Sequence, residues 1–278
     1  MALEPSLPSF ERPPLNEVVL SVQFDPLPQL NPALLGLFWG TIRHQFPNVQ
    51  TQPAIDPVIE RVGVPMMTGV MPMLVQGYPP PRLWFLNSTG NELIQVQQDR
   101  FLRNWRQIGD SDQYPRYEAH IRPRFCEDYE RFLAFLKTER VPDPVPNQCE
   151  VLYVNVIQTS DATKTHADLA RVLRLCQTDI TGVDGLAFED GRLHLRHQIL
   201  DKDRSFVGRF HTAVDPQLKR SDGSPIISIS FTARGRPLGE GFQGLLNFFD
   251  LGRQMIVNAF AAITTSEMQS VWGRMDVR

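Results

Sequence analysis

Two short stretches constrain this chain more than any other: VLSVQF at 19–24 and VLYVNV at 151–156 lie 132 residues apart and read as the same strand. Both are valine-rich and partly alternating, as half-buried strands are. The segments just downstream of the two stretches also match. After the first, Asn31-Pro32 supplies a helix start, because the Asn side chain can cap free N–H groups and proline is preset for the first turn. Leu34, Phe38, Ile42 and Phe46 then recur at four-residue spacing, one apolar helix face ending before Pro47. After the second, Ser160 or Asp161 can cap a helix whose apolar face is Leu169, Val172, Leu173 and Cys176, about 131 residues beyond its counterpart.

The remainder of each half continues the parallel. RLWFL (82–86), a turn at 88–91 and ELIQVQ (92–97) form a hairpin that continues through DRFLRNWR (99–106). A helix follows with Ile121, Phe125, Tyr129, Phe132 and Leu136 on one face, and Pro123 fits only in its first turn. In the second half LAF (186–188), a turn at Asp190-Gly191 and LHLRHQIL (193–200) mirror the hairpin, and 206–214 and 225–233 add two strands. A long helix runs from Gly241 toward Val271 with Phe242, Leu245, Phe249, Ile256, Phe260 and Ile263 as its stripe. The order and near-constant offset predict an internal duplication.

The expected fold is therefore α+β: two tandem strand–helix–sheet–helix repeats forming a curved, mainly antiparallel sheet with helices on one face, saddle-like or helix-grip-like. An N-terminal arm (1–12) precedes the first repeat (13–140) and the second (141–278), joined by the proline-punctuated 138–147 into one compact unit. Residues 47–82 break the symmetry. They hold eight prolines, and four of the eight methionines fall between Met66 and Met73, which predicts a long excursion with one or two edge strands. The methionines read as gap-filling over the core or as an adaptable apolar surface.

Composition limits the function classes. Hydrophobic residues at 42% and charged ones at 21% suit a soluble globular protein. A net charge of −3 argues against a protein dominated by the nucleic-acid backbone but leaves room for a local basic patch. No apolar run reaches the roughly 20 residues a membrane helix needs. The opening MALEPSLPSFERPP has neither a basic start nor an apolar core, unlike a secretory signal. Three widely spaced cysteines, an odd number, fit buried thiols in a reducing cytoplasm.

Catalytic signatures are missing from the sequence: there is no G-x-S-x-G elbow and no P-loop, and the glycines of GEGFQG (239–244) open an apolar helix rather than a phosphate loop. His194 and His197 are three apart and so fall on opposite faces of a strand, without a Cys or carboxylate partner at ligand spacing. Neither enzymatic activity nor a metal or other cofactor is expected.

One stretch mixes arginine with aromatics. Arg100, Arg103, Trp105, Arg106, Tyr114, Arg116 and Tyr117 are its candidate binding residues. Phe101, Arg103 and Trp105 share one strand face, and Arg100, Leu102 and Arg106 share the other. The stretch reads as a strand with core aromatics and arginines paired to nearby acids, as a protein interface, or as a nucleic-acid surface that stacks bases. Arginine outnumbers lysine 24 to 4, which favours fork-shaped contacts.

PPLNEVVLSVQF (13–24), GLFW (36–39), QDRFLRNWR (98–106), YPRY (114–117) and Trp272-Gly273 resemble a sporadically distributed family of uncharacterised bacterial proteins defined by sequence only. The resemblance covers nearly the whole chain except 47–82 and 201–225. It implies a bacterial cytoplasmic protein of accessory genes, defence or conflict loci among them, and brings no catalytic residues.

The leading expectation is a non-enzymatic binding or adaptor protein that holds a protein partner, or a second copy of itself, on the open sheet face or the 99–117 stretch. The alternatives are nucleic-acid binding by the saddle, and a small-ligand pocket between helices and sheet that would involve His194, His211 or Glu189.

Overall fold

A computed structural model of the chain describes residues 7–63, 80–109, 112–158, 164–176 and 183–275. Its main feature is a nine-stranded sheet in which every neighbouring pair is antiparallel. In chain order the strands are β2 (Leu15–Phe24), β3 (Asn48–Gln52), β4 (Arg82–Leu86), β5 (Glu92–Gln97), β6 (Arg100–Arg106), β7 (Pro146–Gln158), β8 (Leu193–Leu200), β9 (Phe206–Leu218) and β10 (Pro225–Gly235). Across the sheet they run β3-β4-β5-β6-β2-β7-β10-β9-β8, with β2 and β7 hydrogen-bonded at the middle. A separate pair joins β1 (Ser9–Phe10) to β11 (Arg274–Met275), which ties the N-terminal arm to the other end of the chain.

Helices α1 (Pro32–Ile42), α2 (Arg122–Thr138) and α4 (Gly241–Ile263) cover one face. Strand register identifies that face: Phe85, Ile94, Arg103, Leu20, Val151 and Ala233 lie side by side across six strands. Phe38 of α1 meets Phe85 and Phe132, Phe101 meets Phe125 and Phe132 of α2, and Phe125 meets Phe249 of α4. These aromatics belong to one continuous core. The close approach of α4 depends on Gly252, where a Cβ would stand 3.0 Å from both Ala233 and Val151.

The local signals act as expected in α1, whose cap Asn31 accepts the Leu34 N–H through Oδ1 at 3.0 Å and whose first residue is Pro32. Helix α2 begins with Pro123 in its first turn, after a π-helical turn at Tyr117–Ile121. An edge strand, β3, opens the proline-rich excursion. The methionine cluster at 66–73 and the cap candidates Ser160 and Asp161 lie outside the described residues.

Three expectations need correction. The 186–188 stretch forms no strand, with Leu186 exposed and Phe188 packed against the core, so among the described residues β8 has no hairpin partner before it. The helix expected through Cys176 is, where described, a 3-10 turn at His166–Asp168 and a single turn, α3 (Leu169–Val172). Leu173 turns extended and bridges Thr264, and the Arg174 N–H goes to the Ile263 carbonyl, so pairing with the end of α4 outcompetes continued helix. The long last helix stops at Ile263. Thr264 adopts extended backbone, Thr265 gives its N–H to Val172 O, and a short helix α5 (Ser266–Val271) restarts behind it.

Among the described residues no helix is long and apolar enough to cross a membrane.

Candidate binding site on the open sheet face

The face away from the helices should be solvated, yet its strand ends carry a buried polar row. Gln97 of β5, Arg100 of β6, Gln23 of β2 and Gln148 of β7 are direct cross-strand neighbours. Each is no more than 5% exposed. Alternation along the strands puts them opposite the helix-covered face, and polar side chains buried this way need hydrogen-bond partners.

Residues 53–61, the first part of the proline-rich excursion, supply those partners. Gln97 Nε2 donates to Ile55 O at 2.8 Å, and its Oε1 accepts the Ile55 N–H at 2.9 Å. Arg100 Nη2 donates to Asp56 O at 3.2 Å and to Gln23 Oε1 at 2.6 Å. Gln23 Oε1 also accepts the Val58 N–H at 2.9 Å, and Gln148 Oε1 the Glu60 N–H at 3.4 Å. The path is therefore perpendicular to the strands. Five extended residues span roughly 17 Å, enough to cover the roughly 14 Å of three strand spacings from β5 to β7. Pro53 and Pro57 suit such a strap, since they lack an N–H that would otherwise need a partner.

The strap ends in an ionic anchor. Glu60, whose side chain is 6% exposed, accepts from Arg209 Nη1 at 2.7 Å, lies 2.8 Å from His211 Nε2 and 3.4 Å from Arg234 Nη1. Arg209 Nη2 adds a bond to Arg61 O at 2.6 Å, and Arg234 also pairs with Glu150 at 2.5 Å. Burial alone would raise the Glu60 pKa. The hydrogen bonds from His211 and Arg209 and the charges of His211 and Arg234 outweigh it and hold the carboxyl at about 2.

The outer side of the strap carries apolar side chains alongside the exposed Asp56 and Arg61. Val58, Ile59 and Val62 are 37%, 48% and 60% exposed, while the main chain is fastened at Val58, Glu60 and Arg61. The segment therefore shows outward side chains on a backbone that hydrogen bonds to the sheet already order.

The arginine–aromatic candidates do not gather on one surface. Arg100 lies beneath the strap. Arg103 faces α2 and is buried between Asp128 (2.8 Å) and Glu92 (2.5 Å). Trp105 is 3% exposed in the core against Tyr114. Arg106 Nε donates to Gly90 O at 2.8 Å, with the guanidinium over Trp84. Tyr114 is half-buried and bonds Tyr153, Arg116 Nη1 reaches Phe10 O at 3.0 Å, and the Tyr117 hydroxyl donates to Asp250 at 2.8 Å. Of the histidines, His211 joins the Glu60 anchor, His194 stands beside it with ring centroids 6.0 Å apart, and Glu189 is exposed on a loop.

Sequence reasoning named Arg100 and His211 but missed the set they belong to. Gln23, Gln97 and Gln148 come from three distant strands, and only their register reveals one row. Their signal was polar residues inside strands whose neighbours are apolar.

Among the described residues no group of three or more His, Cys, Asp or Glu could hold a metal ion. Comparison with known protein families, with curated proteins and with solved structures finds no match for this chain.

Proposed function

We propose that the chain is a non-enzymatic protein-binding module whose contact surface is the strap at 55–62, presented on the open sheet face. The observation that carries this reading is the clamped main chain: Gln97, Gln23 and Gln148 hold it through buried amides while Val58, Ile59 and Val62 project outward. The partner that fits is a protein surface with an apolar groove, rimmed by donors for the exposed Asp56. The family resemblance suggests a bacterial, cytoplasmic setting among accessory genes.

The nucleic-acid reading loses its electrostatic basis on this face. Arg100, Arg209 and Arg234 are committed to strap carbonyls, Glu60 and Glu150, so little positive charge is left for phosphates.

The same reading includes the duplication. Outward from the β2–β7 pair, one side runs β6-β5-β4 and the other β10-β9-β8, an arrangement that supports two related halves around a pseudo-two-fold axis. The strap belongs to the first half alone, at the point where the halves differ.

Site-specific photo-cross-linking in the native host tests the proposal. A benzophenone side chain at position 59 is expected to capture a discrete partner, and one at the exposed Ile108 is not. Loss of that adduct in an Ile59-adjacent Val58→Asp/Val62→Asp variant supports the strap. Equal capture at 59 and 108, or capture unaffected by the double variant, removes it.

A further inference from the structure

On the opposite, helix-covered face a cavity of about 330 Å³ lies between α4, β7, the π-helical turn and the paired chain ends. That is the small end of the range for ligand pockets. Its apolar wall is Phe10, Leu15, Ile256 and Phe260, all buried. Its polar wall includes Tyr114, Arg116, Glu118, Tyr153, Asn155 and Arg253.

The polar wall holds hydrogen-bond donors in excess. The Tyr114 and Tyr153 hydroxyls are 3.2 Å apart, and one donates to the other, so one of the two protons is left over. Burial pushes the Tyr114 pKa up to about 12 and that of Tyr153 well above its ordinary range, so both remain protonated at neutral pH. Arg253 pairs with Glu118 through Nη2 at 2.8 Å and lies over the Tyr117 ring, but its buried Nε has no hydrogen-bond partner. The backbone beside the cavity is unusual as well. Arg116 has φ of 72°, costly for a residue with a side chain, and leads into a π-helical turn. Both features concentrate at functional sites.

The lining charges select the ligand. Two arginines against one glutamate leave one net positive charge, with Asp250 already neutralised by Arg122 at 2.9 Å. A phosphate dianion would find too little positive charge and too much apolar wall. A cation would meet the net positive charge, because Glu118, the one acid of the lining, is engaged by Arg253. We infer that this cavity binds a small monocarboxylate with an apolar body, its carboxylate taken by Arg253 and the tyrosine hydroxyl pair and its body lying against Ile256 and Phe260. The site lies on the other side of the sheet from the strap and is independent of the strap's role.

Benzoate, phenylacetate and hexanoate, each beside its neutral amide, test this on the full chain by calorimetry and saturation-transfer NMR. At least one acid is expected to bind saturably and at least tenfold tighter than its amide. Arg253→Gln and the cavity-filling Val257→Phe should each weaken it tenfold or more. Tyr153→Phe, which keeps the ring and removes the hydroxyl, provides the same reading if Arg253→Gln fails to fold. No saturable acid, equal affinity for acid and amide, or affinity unchanged in the folded variants overturns the inference.

Discussion

The Gln97 carboxamide exchanges two hydrogen bonds, 2.8 and 2.9 Å long, with the main chain of Ile55, as one strand residue does with another. A side chain thus stands in for a strand edge at a place where the backbone runs across the sheet. Gln97→Ala removes both bonds and leaves the Ile55 N–H and C=O without these partners, a cost of about 1–3 kcal/mol. Since about 1.4 kcal/mol is a factor of ten, amide exchange at 55–60 should accelerate by about tenfold or more. Protection at β2 and β7 should change far less. Unchanged exchange at 55–60 would show that the strap is held by something other than the glutamine row.

The Glu60 anchor predicts a pH dependence of stability. Its folded pKa is lowered from 4.5 to about 2, so its stabilisation is complete above about pH 4.5 and is lost as pH falls through about 2. The shift corresponds to on the order of 3 kcal/mol at most. Urea unfolding of wild type and Glu60→Gln should therefore differ most at pH 6–7 and converge toward pH 2.5. A difference that stays constant across that range would mean that the carboxylate charge contributes nothing.

Trp105 and Arg106 are adjacent but should respond to substitution very differently. Trp105 is buried against Tyr114, so Trp105→Ala removes core volume and should cost about 3–5 kcal/mol. Arg106→Ala loses one hydrogen bond to Gly90 O and a contact with Trp84, on the order of 1 kcal/mol. Chemical denaturation of the two single variants measures this directly. Equal losses would contradict the placement of Trp105 in the core.

Where local chemistry decides the structure, the sequence was readable. Asn31-Pro32 starts α1, Pro123 sits in the first turn of α2, and 82–86 and 92–97 pair through a short turn as expected. Legibility ended where distant segments compete. The end of α4 at Ile263 depends on Val172 O and Leu173, about 90 residues earlier, together with Thr265, which caps α5. The strap was legible only as a proline-rich excursion. Its attachment to Gln23, Gln97, Gln148 and Arg209 depends on strand order, which periodicity does not encode. Alternation did place Phe101, Arg103 and Trp105 on one face, but not which face α2 would cover.

Arg103 provides the sharpest test of that covered face. It is 4% exposed, donates through Nε to Asp128 at 2.8 Å and through Nη2 to Glu92 at 2.5 Å, and lies over the Phe46 ring. Glu92 has a second partner in His120, and Asp128 a second in Arg131 at 3.0 Å. Arg103→Met preserves much of the side-chain length but leaves two carboxylates short of a cation, which should cost about 3–5 kcal/mol at pH 7. Burial already raises the Asp128 pKa against the opposing pull of Arg103, and losing that pull must raise it further. A carboxyl with a raised folded pKa destabilises the fold above that pKa, and the penalty disappears as pH falls and the group takes up a proton. The deficit of Arg103→Met relative to wild type should therefore narrow between pH 7 and pH 5, at higher pH than the Glu60→Gln deficit, which closes only toward pH 2.5. Adding Asp128→Leu should recover part of the loss at pH 7 by removing the stranded charge. A deficit that widens on acidification, or a double variant less stable than the single, would show that Arg103 is not balancing a buried acid.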